Sequence, residues 1–160
     1  MSNALHVTAP QGQPSLAFVR EVDAPVAAVF AAHRDPDLLA RWLGPHGYEM
    51  VVTEYDFRSG GRWRYVHRNP AGDEFGFHGC FHTVRDDELA VQTFEFEVAP
   101  DHVSLDTVRF EPLEGGRTRL RGSSVFQSVE ARDAMVASGM ERGMREGYER
   151  LDVVLTAPGA

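Results

Sequence analysis

The chain contains no lysine: all 16 of its basic residues are arginine. Without lysine there is no Schiff-base chemistry and no P-loop. A single cysteine, Cys80, excludes an intrachain disulfide and a cysteine-rich zinc site. No apolar run approaches the ~20 residues that a membrane span needs. Positive charge is scarce as well: 16 basic residues face 24 acidic ones, for a net charge of −8. That balance lacks the electrostatic footprint of a nucleic-acid binder or of a protein drawn to anionic membranes. Met1 to Pro14 is polar, without the apolar segment of a signal peptide, which predicts a cytoplasmic protein.

What is present is the composition of one globular domain, 42% apolar and 25% charged over 160 residues. Residues 1–14 and 157–160 read as flexible ends around a single domain over 15–156. A first strand runs from Ser15 to Val22, with Leu16, Phe18 and Arg20 on one face. Asp23 is then expected to cap a short helix bearing Val26, Val29 and Phe30. Asp35, followed by Pro36, caps a second helix, Pro36–Leu43, which Gly44-Pro45 stops.

Alternating segments follow over Glu49–Phe57, Arg62–Arg68, Glu74–Val84, Leu89–Val98, His102–Pro112 and Arg117–Phe126. Their short connections predict an antiparallel meander. From Val129 to Leu155 the apolar residues Val136, Met140, Met144, Tyr148, Leu151 and Leu155 recur every three or four positions, which predicts one long helix capped by Ser128. A sheet with one apolar face needs a cover, and this helix is the element able to supply it. The expected α+β fold is a curved antiparallel sheet of about seven strands wrapped around a long C-terminal helix. Two short helices sit between the first two of those strands.

These residues resemble a known family. The matching stretches are Val22-Asp23-Ala24-Pro25, the Asp35-to-Pro45 segment with its Trp42-Leu43-Gly44-Pro45, Gly60-Gly61-Arg62-Trp63, Phe77-His78-Gly79-Cys80-Phe81, and the Gly139-to-Leu155 helix. Together, over about Ser15 to Leu155, they are similar to the SRPBCC (START-like, helix-grip) superfamily. Within it they resemble the family named for the activator of the heat-shock-protein-90 ATPase. Two positions depart from that pattern: Thr83 stands where an acidic residue is frequent, and Met140 and Met144 stand where Trp is frequent. The resemblance implies a deep apolar cavity between sheet and helix. Relatives use it to bind lipids, hormones or polyketides, or to cyclise polyketides, and the eukaryotic namesake is a co-chaperone.

Strand parity names the residues able to line such a cavity. Trp63, Tyr65 and His67 share one face of their strand, Phe77 and Phe81 of the next, then Phe94 and Phe96, then Phe110. With Met140 and Met144 from the helix they form the expected ligand-binding set, the alternative for each being a plain hydrophobic core. Gly79 and Gly122 place small residues among the aromatics, and Gly139, Gly143 and Gly147 repeat along the helix. Gly79 and Gly122 are read as room for a ligand, and the helix glycines as close packing, as room for a ligand, or as a helix able to shift or bend. Tyr65 and His67 are the best inward polar groups and the candidate acid–base pair, with no partner acid evident on their face. His78 and His82 share the opposite face, ~13 Å apart, too far for one ion. No metal and no cofactor are expected. Cys80 reads as a small structural residue, and Trp42 as a tie between its helix and the end of the sheet.

The leading expectation is binding of a small hydrophobic molecule, without catalysis, since inward aromatics outnumber inward acids. Two alternatives stay open. One is a cyclase- or hydrolase-type enzyme on a polyketide-like substrate, with Tyr65 and His67 as its acid–base groups. The other is a co-chaperone-like protein-binding module. A homodimer and a protein partner stay open as well.

Overall fold

The structure is a computed structural model that describes residues 3–156; the expected C-terminal end, 157–160, lies outside them. The order is β1 (His6–Thr8), β2 (Ser15–Val22), α1 (Val26–Arg34), α2 (Pro36–Trp42), β3 (Glu49–Tyr55), β4 (Arg62–Arg68), β5 (Glu74–Arg85), β6 (Leu89–Phe96), β7 (Val103–Leu113), β8 (Arg117–Val125), α3 (Val129–Ala137) and α4 (Met140–Thr156). Eight strands form one antiparallel sheet in the order β1-β2-β8-β7-β6-β5-β4-β3. The meander is as expected, with one strand more than the sequence pattern suggests. β1 is only three residues long and pairs with β2 at Val7↔Phe18, too short for alternation to show.

Asp35 ends α1 and begins α2. The proline that follows drives it out of the helical region, to φ −81° and ψ 115°. Its carboxylate accepts from the Asp37 N–H at 2.9 Å, as an N-cap does. Asp23 does not cap α1: Pro25 holds that position. The Asp23 carboxylate instead accepts from Arg117 Nε at 2.8 Å, across to the start of β8.

The long C-terminal helix is two helices. Ser128 caps α3 through the Ala131 N–H, as expected. The chain then breaks at Ser138-Gly139, where Gly139 adopts φ +88°, a backbone region costly for any residue with a Cβ. The Val136–Met140–Met144 spacing continues through this break, so periodicity alone cannot reveal it.

α4 covers the concave side of the sheet, burying Gly147, Tyr148, Leu151 and Val154. One core gathers Phe18, Val22, Val29, Phe30, Trp42, Phe110, Leu120, Tyr148 and Leu151. A second, smaller one gathers Trp63, Tyr65 and Phe81. The sheet bends where its register shifts, between Val52 and Glu54 and between Phe81 and Thr83. Among the described residues no helix is long and apolar enough to cross a membrane.

Candidate functional site

Seven of the expected residues meet on the concave face of β4, β5 and β6. Trp63, Tyr65 and His67 are buried there. Their rings follow one another at 5.0 Å (Trp63–Tyr65) and 5.1 Å (Tyr65–His67). Phe77 lies 5.4 Å from both Tyr65 and Phe94, and 4.9 Å from Phe96. Phe81 is buried at the edge of this group, its ring against Phe57 at 4.9 Å. Phe77, Phe94 and Phe96 face inward yet are only part-buried. The aromatic surface therefore meets solvent rather than closing a sealed chamber.

The other three expected residues are placed differently. Phe110 shares the inward parity, but the strand order carries it to the main core. There it meets Phe30 at 5.1 Å and His33 at 5.0 Å. Met144 packs against that same core and Met140 opens α4; both are part-buried. The small residues of the sheet do not leave room. A Cβ on Gly79 would stand 2.0 Å from the Thr93 carbonyl oxygen and 2.9 Å from the Trp63 ring. On Gly122 it would stand 2.0 Å from the Phe18 ring. Both glycines let a neighbour lie close, which corrects their reading as open space.

A group of polar residues interrupts the concave face beside the aromatics. Asp106 on β7 is paired in register with Gln92 on β6 and Ser124 on β8, and Phe94 is paired with Ser104. Ser104 Oγ donates to Asp106 Oδ1 at 3.0 Å, and Ser124 is its second hydroxyl partner. Burial raises the Asp106 carboxyl to about 6, against the lowering effect of the two hydroxyls. Its charge reaches the Tyr65 hydroxyl, whose pKa is raised chiefly by burial, then by Tyr55 and Asp106. An inward acid thus does share the face of Tyr65, contrary to the sequence expectation. The signal was present: counting back from Phe110 by twos gives Val108, Asp106 and Ser104.

Tyr65 and His67 are adjacent, but His67 is packed rather than presented. Its Nε2 lies 3.2 Å from Met50 Sδ, and its Cε1 sits 2.7 Å from where a Cβ on Gly44 would be. Burial, and then the Arg150 guanidinium, lower its pKa to about 4, so the imidazole is neutral at pH 7. Trp63 carries a different anomaly. Among the described residues nothing accepts from its buried Nε1–H, a deficit that folded proteins seldom leave.

This architecture has relatives. The family described as Activator of Hsp90 ATPase homolog 1-like protein matches residues 23–156. The chain belongs to that family. A solved protein of Arthrobacter aurescens is 34% identical, with a TM-score of 0.87 over 96% of this chain and 92% of that one. One from Rhodobacter sphaeroides is 30% identical, with a TM-score of 0.86 over 95% and 98%. One from Mycobacterium smegmatis, 24% identical, shares the fold with a TM-score of 0.82 over 97% and 100%. No curated protein matches the chain.

In this member of the Activator of Hsp90 ATPase homolog 1-like family, the remaining candidates lie outside the concave aromatic group. Trp42 ties α2 to α1 and α4 and sits in the core that these helices share with the sheet. Its Nε1 donates to the Ala32 carbonyl at 2.9 Å and its ring stacks on Tyr148 at 5.7 Å. Gly147 marks close packing, since a Cβ there would lie 3.3 Å from the Trp42 carbonyl oxygen. His78 on the outer face is engaged by Glu97 at 2.9 Å, alongside Arg64. Cys80 is exposed on that face. Arg62, Arg64, Arg68, Arg117 and Arg121 each pair with an acid.

Proposed function

We propose that the chain binds a small, largely apolar molecule on the concave face, along Trp63, Tyr65, Phe77, Phe94 and Phe96. One observation carries this reading: Phe77, Phe94 and Phe96 share the concave face with the buried Trp63 and Tyr65 and still keep part of their surface in contact with water. Apolar surface left wet costs about 25 cal/mol per Å², and a ligand that covers these rings recovers it. Catalysis by Tyr65 and His67 finds less support. The Met50 and Gly44 contacts hold the imidazole in packing, and burial keeps the Tyr65 phenol protonated.

The test is a titration with the neutral fluorescent probe N-phenyl-1-naphthylamine. Fluorescence enhancement that weakens in Phe94→Ala and Phe77→Ala, but not in Leu105→Ala, supports the reading. Leu105 is exposed on the convex face. Enhancement insensitive to Phe94 and Phe77, or lost with Leu105, overturns it.

A further inference from the structure

Asp106 is a part-buried acid on the otherwise aromatic concave face. It faces inward on β7, in register with Gln92 and Ser124, and it accepts a hydrogen bond from the Ser104 hydroxyl. None of these carries a positive charge. The arginines that reach inside are engaged elsewhere. Arg20 is held by both oxygens of Asp152, at 3.1 and 2.7 Å. Arg150 donates to the carbonyls of Gly44 and Pro45, and Arg132 to Pro10, Ser15 and Asp133. Asp106 is part-buried, so an incoming cation can reach its carboxylate, and a carboxylate among neutral partners on an apolar face gains from a cation placed opposite it. Groups of this kind concentrate where a protein needs them for function.

The surroundings state what would satisfy it. Phe94 is the diagonal neighbour of Asp106 across the β6–β7 pair, a separation of about 7–8 Å. Tyr65 lies within reach of the Asp106 charge, and Phe81 is paired with Gln92. A carboxylate at the edge of a group of aromatic rings is suited to an ammonium group: ion pairing and hydrogen bonding from one side, ring faces from the other.

Resting on the reading of the concave face as a ligand surface, we propose that Asp106 anchors the protonated amine of an arylalkyl- or alkylamine whose apolar body lies along Phe94 and Phe77. Ser104 and Ser124 hold the carboxylate in place, and Gln92 offers the amine a second acceptor.

Three probes of equal bulk test this: 2-naphthylmethylamine (cationic), 2-naphthalenemethanol (neutral) and 2-naphthoate (anionic). Each is titrated by calorimetry at pH 7.5 and physiological salt, which screens the net charge of the chain. The wild-type chain is expected to bind the amine on the order of tenfold more tightly than the alcohol, and the naphthoate most weakly. Asp106→Asn brings the amine down to the affinity of the alcohol and leaves the alcohol unchanged. Phe94→Ala weakens both. Should Asp106→Asn fail to fold, Asp106→Ser serves in its place, with a thermal melt for each. Equal binding of amine and alcohol by the wild type, or an amine preference that survives Asp106→Asn, overturns the amine proposal alone, provided Phe94→Ala still weakens both. Binding indifferent to Phe94, or no binding of any probe, overturns the concave-face reading with it.

Discussion

Arg20 on β2 and Asp152 on α4 meet in a two-pronged ion pair, at 3.1 and 2.7 Å, that fastens the C-terminal helix to the sheet. The partnership is unequal. The Arg20 side chain is 2% exposed and that of Asp152 is 37% exposed. Removing the acid strands a buried cation, whereas removing the arginine leaves a carboxylate that water can solvate. Asp152→Ala is expected to cost about 3–5 kcal/mol and Arg20→Met considerably less. Urea denaturation of the two variants measures the asymmetry, and equal losses would contradict it.

Trp42 gathers α1, α2 and α4 through one hydrogen bond and one stacked ring. Trp42→Ala is expected to cost about 3–5 kcal/mol, part of it from the unsatisfied Ala32 carbonyl. Trp42→Phe keeps most of the ring and loses the hydrogen bond, for about 1–2 kcal/mol. Denaturant midpoints of both variants check these values.

The glycines of α4 separate by what lies opposite them. A Cβ on Gly143 meets only the Pro45 ring, at 3.6 Å, which is ordinary contact. Gly143→Ala is therefore expected to raise stability by about 0.5–1 kcal/mol through helix propensity. A Cβ on Gly147 meets backbone, at 3.3 Å from Gly44 N and from the Trp42 carbonyl oxygen, and backbone yields little. Gly147→Ala is expected to lower the melting temperature, and Gly147→Leu to lower it further.

The Asp106 carboxyl has a folded-state pKa of about 6, against ~3.9 in an unfolded chain. A raised folded value means that the fold favours the protonated acid. Its full stability is present below about pH 4 and is lost as pH rises through 6. At pH 7.5 Asp106→Asn is expected to be more stable than the wild type by about 1–3 kcal/mol, with the advantage disappearing by pH 4. Denaturation curves at both values check this. An advantage that is no larger at pH 7.5 than at pH 4 would contradict the raised carboxyl pKa.

Regular alternation made most of the sheet legible. Trp63, Tyr65 and His67 could be assigned to one buried face because β4 is short and uninterrupted. Phe110 has the same parity, yet parity says nothing about neighbours. β7 lies three strands away from β4, so Phe110 joins the main core instead. Asp106 is not legible from alternation, because an acid on an apolar face runs against the pattern that marks that face. Asp23 is a plausible helix cap by position, and only the fold brings Arg117 to it from 94 residues away.

The most direct test of the concave-face site uses the two tryptophans of the chain. Each gives one indole N–H signal in a ¹H–¹⁵N correlation spectrum. The Trp42 N–H is held by the Ala32 carbonyl, whereas the Trp63 N–H has no acceptor among the described residues. On titration with 2-naphthylmethylamine the Trp63 signal is expected to move in proportion to occupancy, together with the amides of Phe94 and Asp106, while the Trp42 signal stays in place. A probe that binds without moving Trp63, or that instead moves the convex-face residues Leu105 and Val125, contradicts the account.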